Sequence, residues 1–256
     1  MITAASNSRI KRLVQLNQKS KLRRTEDVFL AEGVKMFLEA PREQLQEVYV
    51  SESFLEKCSC REHLEEVGYE VVSDSVFSKI SDTCTPQGVL CVLKQFHYNI
   101  EEMLRDKAPL FLLLENIQDP GNLGTMLRTG EGAGVSGIIM SRDTVDLYNP
   151  KVIRSTMGSI YRVPFYYADD FAAAVHQVQR AGVSVYAAHL RGKNSYACQD
   201  YTKGTAFLIG NEGNGLREET AELADCYIRI PMEGKVESLN AAVASSILMY
   251  EAHRQR

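Results

Sequence analysis

A chain of 256 residues is long enough for one large domain or two ordinary ones, with material for real cores in either case. Its apolar fraction of 45% and charged fraction of 24% are those of a globular protein, and no apolar run approaches the roughly 20 residues that would span a bilayer. The net charge of −4 hides an asymmetry: residues 1–25 carry +7 with no acid, which leaves −11 for the remainder.

That basic block consists of Arg9, Lys11, Arg12, Lys19, Lys21, Arg23 and Arg24. On an otherwise acidic chain it points to a local contact with a polyanion. A solvated helix face and an organellar transit peptide are the duller readings. Ile10, Leu13 and Val14 recur at helical spacing within the block, and it runs into VFLAEG without a cleavage-like break, so it is read as part of the folded protein. The six cysteines form no CxxC pair and no regular framework, which suits a reducing, cytoplasmic compartment. Cys58, Cys60 and His63 match no common zinc spacing, and no metal is expected.

In chain order, a helix over 6–18 leads to a short strand at VFLAEG and a helix over 34–40. A strand at EVYV, a helix over 53–67, a strand at YEVV and a last strand over 88–93 complete a small α/β unit. Periodicity then lapses in KQFHYNIEEMLRDKAP, which sets the boundaries: 1–95 as the first domain, 96–108 as a linker and 109–256 as the second domain. From residue 110 apolar runs alternate with helical stretches. The runs are LFLLLEN, GIIM, RVPFYY, VSVYAAHL, TAFLIGN and CYIRIPM. The helical stretches are LGTMLRTGEGAG, NPKVIRSTMG, DFAAAVHQVQRAG, LREETAELA and ESLNAAVASSILMYEAHRQR. That alternation predicts a parallel sheet with crossover helices, whose ligands sit beyond the strand carboxyl ends.

GAGVSG, residues 132–137, satisfies GxGxxG, but it ends a helix and precedes a strand, the reverse of a dinucleotide site. It reads as a helix C-cap followed by a tight turn. Three other loops each follow an apolar strand. ENIQDPGNLGTMLRT (115–129) holds Asn122, placed to cap a helix, and Arg128 six residues on. GNEGNGL (210–216) sets Glu212 among three glycines, more than a plain turn needs. IPMEGKVESLNAAVASS (230–246) holds Ser238 and Asn240 at a helix start, followed by small residues. Singly each has a bland reading as a cap, a surface residue or a turn; jointly they decorate one edge of the sheet three times.

NLGTMLRT, LIGNEGNGL and IPMEGKVESLNAAVA, in this order, resemble the three motifs of the SpoU (TrmH) family of ribose 2′-O-methyltransferases in the SPOUT superfamily. DLYNPKVIRSTMGSIYRVP is similar to that family's linking segment. Upstream, SRIKRLVQLNQKSKLRRTEDVFLAEGVKMFLEA resembles its ribosomal-protein-like RNA-binding domain, a looser match. The resemblance implies a small N-terminal α/β RNA-binding domain followed by a SPOUT catalytic domain, with a parallel sheet and a C-terminal deep trefoil knot. It implies S-adenosylmethionine as cofactor, held by Gly210, Ile230 and Leu239, with Leu208 and Met232 as further candidates. A homodimer is implied as well.

The implied reaction is methyl transfer to an RNA ribose 2′-hydroxyl, on large-subunit ribosomal RNA in preference to transfer RNA. By motif position Arg128 stands next to that hydroxyl, while Asn122, Glu212, Ser238 and Asn240 position it and the nucleotide. A guanidinium stays charged and has no lone pair to take a proton, so a grip on phosphate and developing alkoxide suits Arg128 better than a base's role. Whether Glu212, a substrate phosphate or water accepts the proton stays open at this point. Arg9, Lys11, Arg12, Lys21, Arg23 and Arg24 are the candidate RNA contacts, made to the phosphate backbone. The competing reading is a catalytically silent RNA-binding scaffold of the same fold.

Overall fold

The computed structural model describes residues 1–236 and 238–256, and its chain divides into two compact units. The first comprises Met1–Phe96 together with Asp146–Tyr161; the second comprises His97–Val145 and Arg162–Arg256.

The first unit is built on a four-stranded mixed sheet: β1 (Val28–Glu32), β2 (Leu45–Ser51), β3 (Glu70–Val72) and β4 (Val89–Lys94), in the order β1-β4-β2-β3. β4 runs antiparallel to both neighbours, and β2 and β3 are parallel. The opening helix, Ser8–Gln18, starts where Asn7 accepts a hydrogen bond from the Arg9 N–H, and buries Ile10, Leu13 and Leu16. Its partner across the core is a helix that the sequence reading left out, Asp74–Ile80, which buries Val76, Phe77 and Ile80 in the same cluster. Ser20–Glu26 is a second unexpected helix, ended by Asp27 in the left-handed conformation. The helix expected over 53–67 is two helices, Glu52–Lys57 and Arg61–Val67, because Cys58 is extended and Cys60 is non-helical.

The second unit is a seven-stranded sheet in which every neighbouring pair is parallel. Its strands are β5 (Leu110–Leu114), β6 (Gly137–Ser141), β7 (Phe165–Ala168), β8 (Ser184–Ala188), β9 (Asn194–Ser195), β10 (Thr205–Ile209) and β11 (Cys226–Arg229). They lie in the order β7-β6-β5-β10-β8-β11-β9. β5, β6 and β10 are buried along their full length, which is why they read as continuous apolar runs. The chain builds outward from β5 through β6 to β7 and then returns to place β10 on the other side of β5, so the strand order reverses beside β5. In open sheets of this kind a crevice opens beyond the carboxyl ends at that reversal. The GAGVSG stretch is the expected cap: Gly134, at φ +76°, ends the helix Pro120–Ala133 and donates to the carbonyls of Glu131 and Gly130.

Two stretches group differently from the sequence boundaries. Of the expected linker, 96–108, all but Phe96 groups with the second unit and supplies Ile100 and Met103 to its core. Asp146–Tyr161, from inside the expected second domain, packs in the first. There Asp146 pairs with Arg23 at 2.5 Å, and the Tyr161 hydroxyl donates to the Met36 carbonyl at 3.0 Å. An apolar count along the chain sees both stretches as short and charged, and only the packing assigns them.

Candidate active site

The three loops that the sequence singles out leave the carboxyl ends of β5, β10 and β11, and their side chains form one chain of hydrogen bonds. The Asn240 Nδ2 donates to the Asn122 Oδ1 at 2.9 Å, and the Asn122 Nδ2 donates to the Glu212 Oε1 at 3.0 Å. Glu212 also accepts from the backbone N–H groups of Asp119 and Gln118, both at 3.0 Å. Partial burial pushes the Glu212 carboxyl up, but the bonds from Asn122, Gln118 and Asp119 outweigh it and hold the group below its ordinary range. An ionised carboxylate so surrounded by donors is an organiser of its loops and a poor base.

Asn122 is free for this task because it is not the helix cap, contrary to the sequence reading. Asp119 is the cap: its Oδ1 accepts from the Asn122 N–H at 2.8 Å, with Pro120 at the first helical position. The Asp-Pro pair was the signal for it. Asn240 does cap its helix, Ala241–Gln255, by accepting from the N–H groups of Ala242 and Val243. One side chain therefore starts the last helix and reaches across to the first loop.

Further groups that the sequence reading passed over fasten the second loop to the first. The Asn211 Nδ2 donates to the carbonyl of Asn116, which sits at φ +53°. Asn211 also folds its own turn, accepting from Gly213 and Asn214. At the far end of the loop, the buried carboxylate of Glu115 accepts from the Arg217 N–H at 2.9 Å and the Thr220 hydroxyl at 2.5 Å.

The glycines have a different reason from ligand approach alone. A Cβ on Gly210 would lie 2.2 Å from both the carbonyl carbon of Gly215 and the nitrogen of Leu216, because the loop folds back on its own start. Gly215 takes the left-handed conformation at φ +69° that closes the turn, where its backbone pairs with Asn211.

Arg128 lies on the helix Pro120–Ala133, exposed, and makes no hydrogen bond or ion pair among the described residues. Ser238 is exposed and likewise joins no hydrogen bond there. Of the cofactor candidates, Gly210 and Leu208 are buried, with Leu208 fully enclosed in the sheet core, so its side chain offers no surface. Ile230 and Leu239 are half-buried and Met232 is exposed, none of the three in a helix or strand. No group of three or more His, Cys, Asp or Glu side chains that could hold a metal occurs among the described residues.

Residues 109–250, more than half the chain, match the model of the SpoU rRNA methylase family. The chain belongs to that family. Residues 7–91 match the family model of the MRM3-like substrate binding domain. Among curated relatives, the 23S rRNA (guanosine(2553)-2′-O)-methyltransferase RlmP of Bacillus subtilis (strain 168) is 32% identical over 252 residues, covering 97% of each chain. The AdoMet-bound rRNA methyltransferase of Sinorhizobium meliloti superposes with a TM-score of 0.85 at 32% identity, covering 99% of this chain and 97% of that one. The SpoU methyltransferase AviRb of Streptomyces viridochromogenes, in complex with AdoMet, gives 0.88 at 26% identity, with 98% of each chain covered. In this family member the three motif loops are thus the ones the polar chain ties together.

The basic block divides once the side chains are seen. Arg23 is a correction: it is 3% exposed, donates to the carbonyls of Leu16 and Asn17 and pairs with Asp146, so it braces the first unit and presents no charge to a ligand. Arg9 pairs with Glu70, and Arg12 with Glu26 and Glu47. Lys11, Lys21 and Arg24 are exposed and have no ion-pair partner among the described residues.

Proposed function

We propose that this protein transfers the methyl group of S-adenosylmethionine to a ribose 2′-hydroxyl of large-subunit ribosomal RNA. The observation that carries the reading is the Asn240–Asn122–Glu212 chain, which draws three loops from three strands into one edge site. Membership of the SpoU family and the methyltransferase relatives support it.

The cofactor's chemistry suits the third loop, where Ile230, Met232 and Leu239 leave apolar side chains part-exposed beside the strand ends. Those residues, with the backbone about Gly210, would hold it in a knotted C-terminal segment. Once bound it supplies a sulfonium methyl already activated for displacement, so the protein's main task is orientation. The 2′-hydroxyl that receives the methyl would lose its proton to a substrate phosphate or water. Arg128, exposed and without a partner among the described residues, would grip the RNA phosphate and stabilise the developing alkoxide. Glu212 holds Asn122 and the turn 118–119 in register, and Ser238 would complete the positioning set.

The first unit would dock the RNA through Lys11, Lys21 and Arg24. A homodimer in the cytoplasm is the working form; no described helix is long and apolar enough to cross a membrane. The deciding experiment offers radiolabelled S-adenosylmethionine with unmodified 23S ribosomal RNA and, separately, bulk transfer RNA. Label is expected in nuclease-resistant 2′-O-methylated dinucleotides from the ribosomal pool. Label in transfer RNA instead would move the substrate; no label and no cofactor binding by calorimetry would leave a silent RNA-binding scaffold.

A further inference from the structure

The first unit contains a cavity of its own. It has a volume of about 260 Å³ and is lined by Lys35, Met36, Thr85, Gln87, Arg154 and Met157, among others. Its frame is fixed by Glu32, whose carboxylate accepts from the Ser81 hydroxyl at 2.8 Å, the Thr83 hydroxyl at 3.0 Å and the Asp82 N–H at 3.3 Å. Beside it the Gln87 Oε1 accepts from the Val34 N–H at 3.0 Å. That bond orients the amide and leaves its Nε2 donor without a partner among the described residues. Thr85 is exposed and equally uncommitted.

Met157 is the telling residue. It caps the end of the helix Pro150–Thr156 at φ +52°, a left-handed position where glycine or asparagine is the economical choice. Its side chain is 40% exposed and lines the cavity, so packing does not explain the preference for methionine. A costly backbone state that presents a polarisable thioether to an open cavity is the kind of strain that persists for binding.

We infer that this cavity is a subsite for one unpaired nucleotide of the RNA substrate. The nucleobase lies on the Met157 thioether, its edge is read by the Gln87 amide and the Thr85 hydroxyl, and its phosphate meets Lys35 and Arg154, two exposed cations that exchange their surface ion pairs with Glu39 and Asp82 for it. Apolar surface for a base face, donors for its edge and cations at the rim together match single-stranded RNA better than a duplex, whose bases are stacked away. Arg154 and Met157 come from the segment 146–161, which lies within the methylase family match yet packs in the first unit. Recognition of the RNA thus uses residues beyond the matched substrate-binding stretch, 7–91. The inference rests on the RNA substrate proposed above.

The test compares wild type with Met157→Gly, Gln87→Ala and Arg154→Ala in filter binding to in vitro transcribed 23S ribosomal RNA, with melting curves alongside. Met157→Gly should melt at or above the wild-type temperature, since glycine accepts the left-handed position, yet bind RNA about fivefold or more weakly. Gln87→Ala should weaken binding about as much, and Arg154→Ala should also lower the slope of log affinity against log salt by about one. The loss should fall on KM for RNA more than on kcat. Wild-type affinity in both Met157→Gly and Gln87→Ala would overturn the subsite. Failure of the wild type itself to bind the RNA would instead overturn the substrate reading, and the subsite with it.

Discussion

The first two site loops and the third are held in opposite ways. The turns at 115–122 and 210–217 are fastened to each other by Asn122, Glu212, Asn211 and Glu115, through bonds to backbone groups on both sides. Between Ile230 and Leu239 no hydrogen bond is made among the described residues, and the exposed side chains there include Met232 and Val236. The polar pair is ready before any ligand arrives, whereas the apolar stretch has surface that a ligand would cover. A site that must both hold a heteroaromatic base against apolar side chains and fix polar groups in place would divide its labour in this way.

The sharpest test of that division is Arg128→Ala. Among the described residues Arg128 belongs to neither set of loop contacts, so cofactor affinity and melting temperature should hold while methyl transfer falls by about 10² to 10³. A parallel loss of cofactor affinity in calorimetry would place Arg128 in the binding loops and remove it from the reaction.

Gly210→Ala attacks the ready-made half directly. The added Cβ meets backbone at 2.2 Å, which cannot swing away, so the loop must move. A stability loss of about 1–3 kcal/mol by urea unfolding, together with lost cofactor binding, is expected. Unchanged unfolding would mean that the second loop is not preorganised.

Glu212→Gln should cost less in stability at neutral pH, about 1–2 kcal/mol, because one amide group faces N–H donors it cannot accept from. The sign with pH follows from the lowered pKa. The stabilisation is complete above the ordinary glutamate value of 4.5 and is lost as pH falls through the depressed folded value, so wild type and variant should converge in acid. A gap that stays constant down to strong acid would show that the charge is not what holds the loops. Methyl transfer should fall moderately, and a loss as large as that of Arg128→Ala would make Glu212 the proton acceptor.

Met232→Ser is the mildest change and probes the other half. Stability should stay within about 0.5 kcal/mol, while cofactor affinity drops a few-fold in calorimetry. No change in affinity would remove Met232 from the candidate cofactor surface.

Much of the second unit was legible because its chemistry is local. Fully buried strands such as LFLLL must be apolar throughout, and a glycine that ends a helix announces itself, as Gly134 does. The reading was weaker where polar residues compete for one role. ENIQDPGN offers both Asp119 and Asn122 as caps, and choosing wrongly conceals that Asn122 is free to bridge two other loops. Likewise Lys21, Arg23 and Arg24 are equivalent as letters. The helical turn that buries Arg23 against the carbonyls of Leu16 and Asn17 leaves its neighbours exposed.

The sequence by itself determined the alternating parallel architecture, the three loops at its carboxyl edge and the family they resemble, because strand burial, turn chemistry and motif order are written in consecutive residues. Only the tertiary structure decided which polar groups meet, why Gly210 must be glycine, and that residues 146–161 pack with the first unit. Those outcomes depend on contacts between residues far apart in the chain, 118 positions between Asn122 and Asn240 and 125 between Met36 and Tyr161. Periodicity along the chain carries no information about such pairs; the folding of the sheet brings them together.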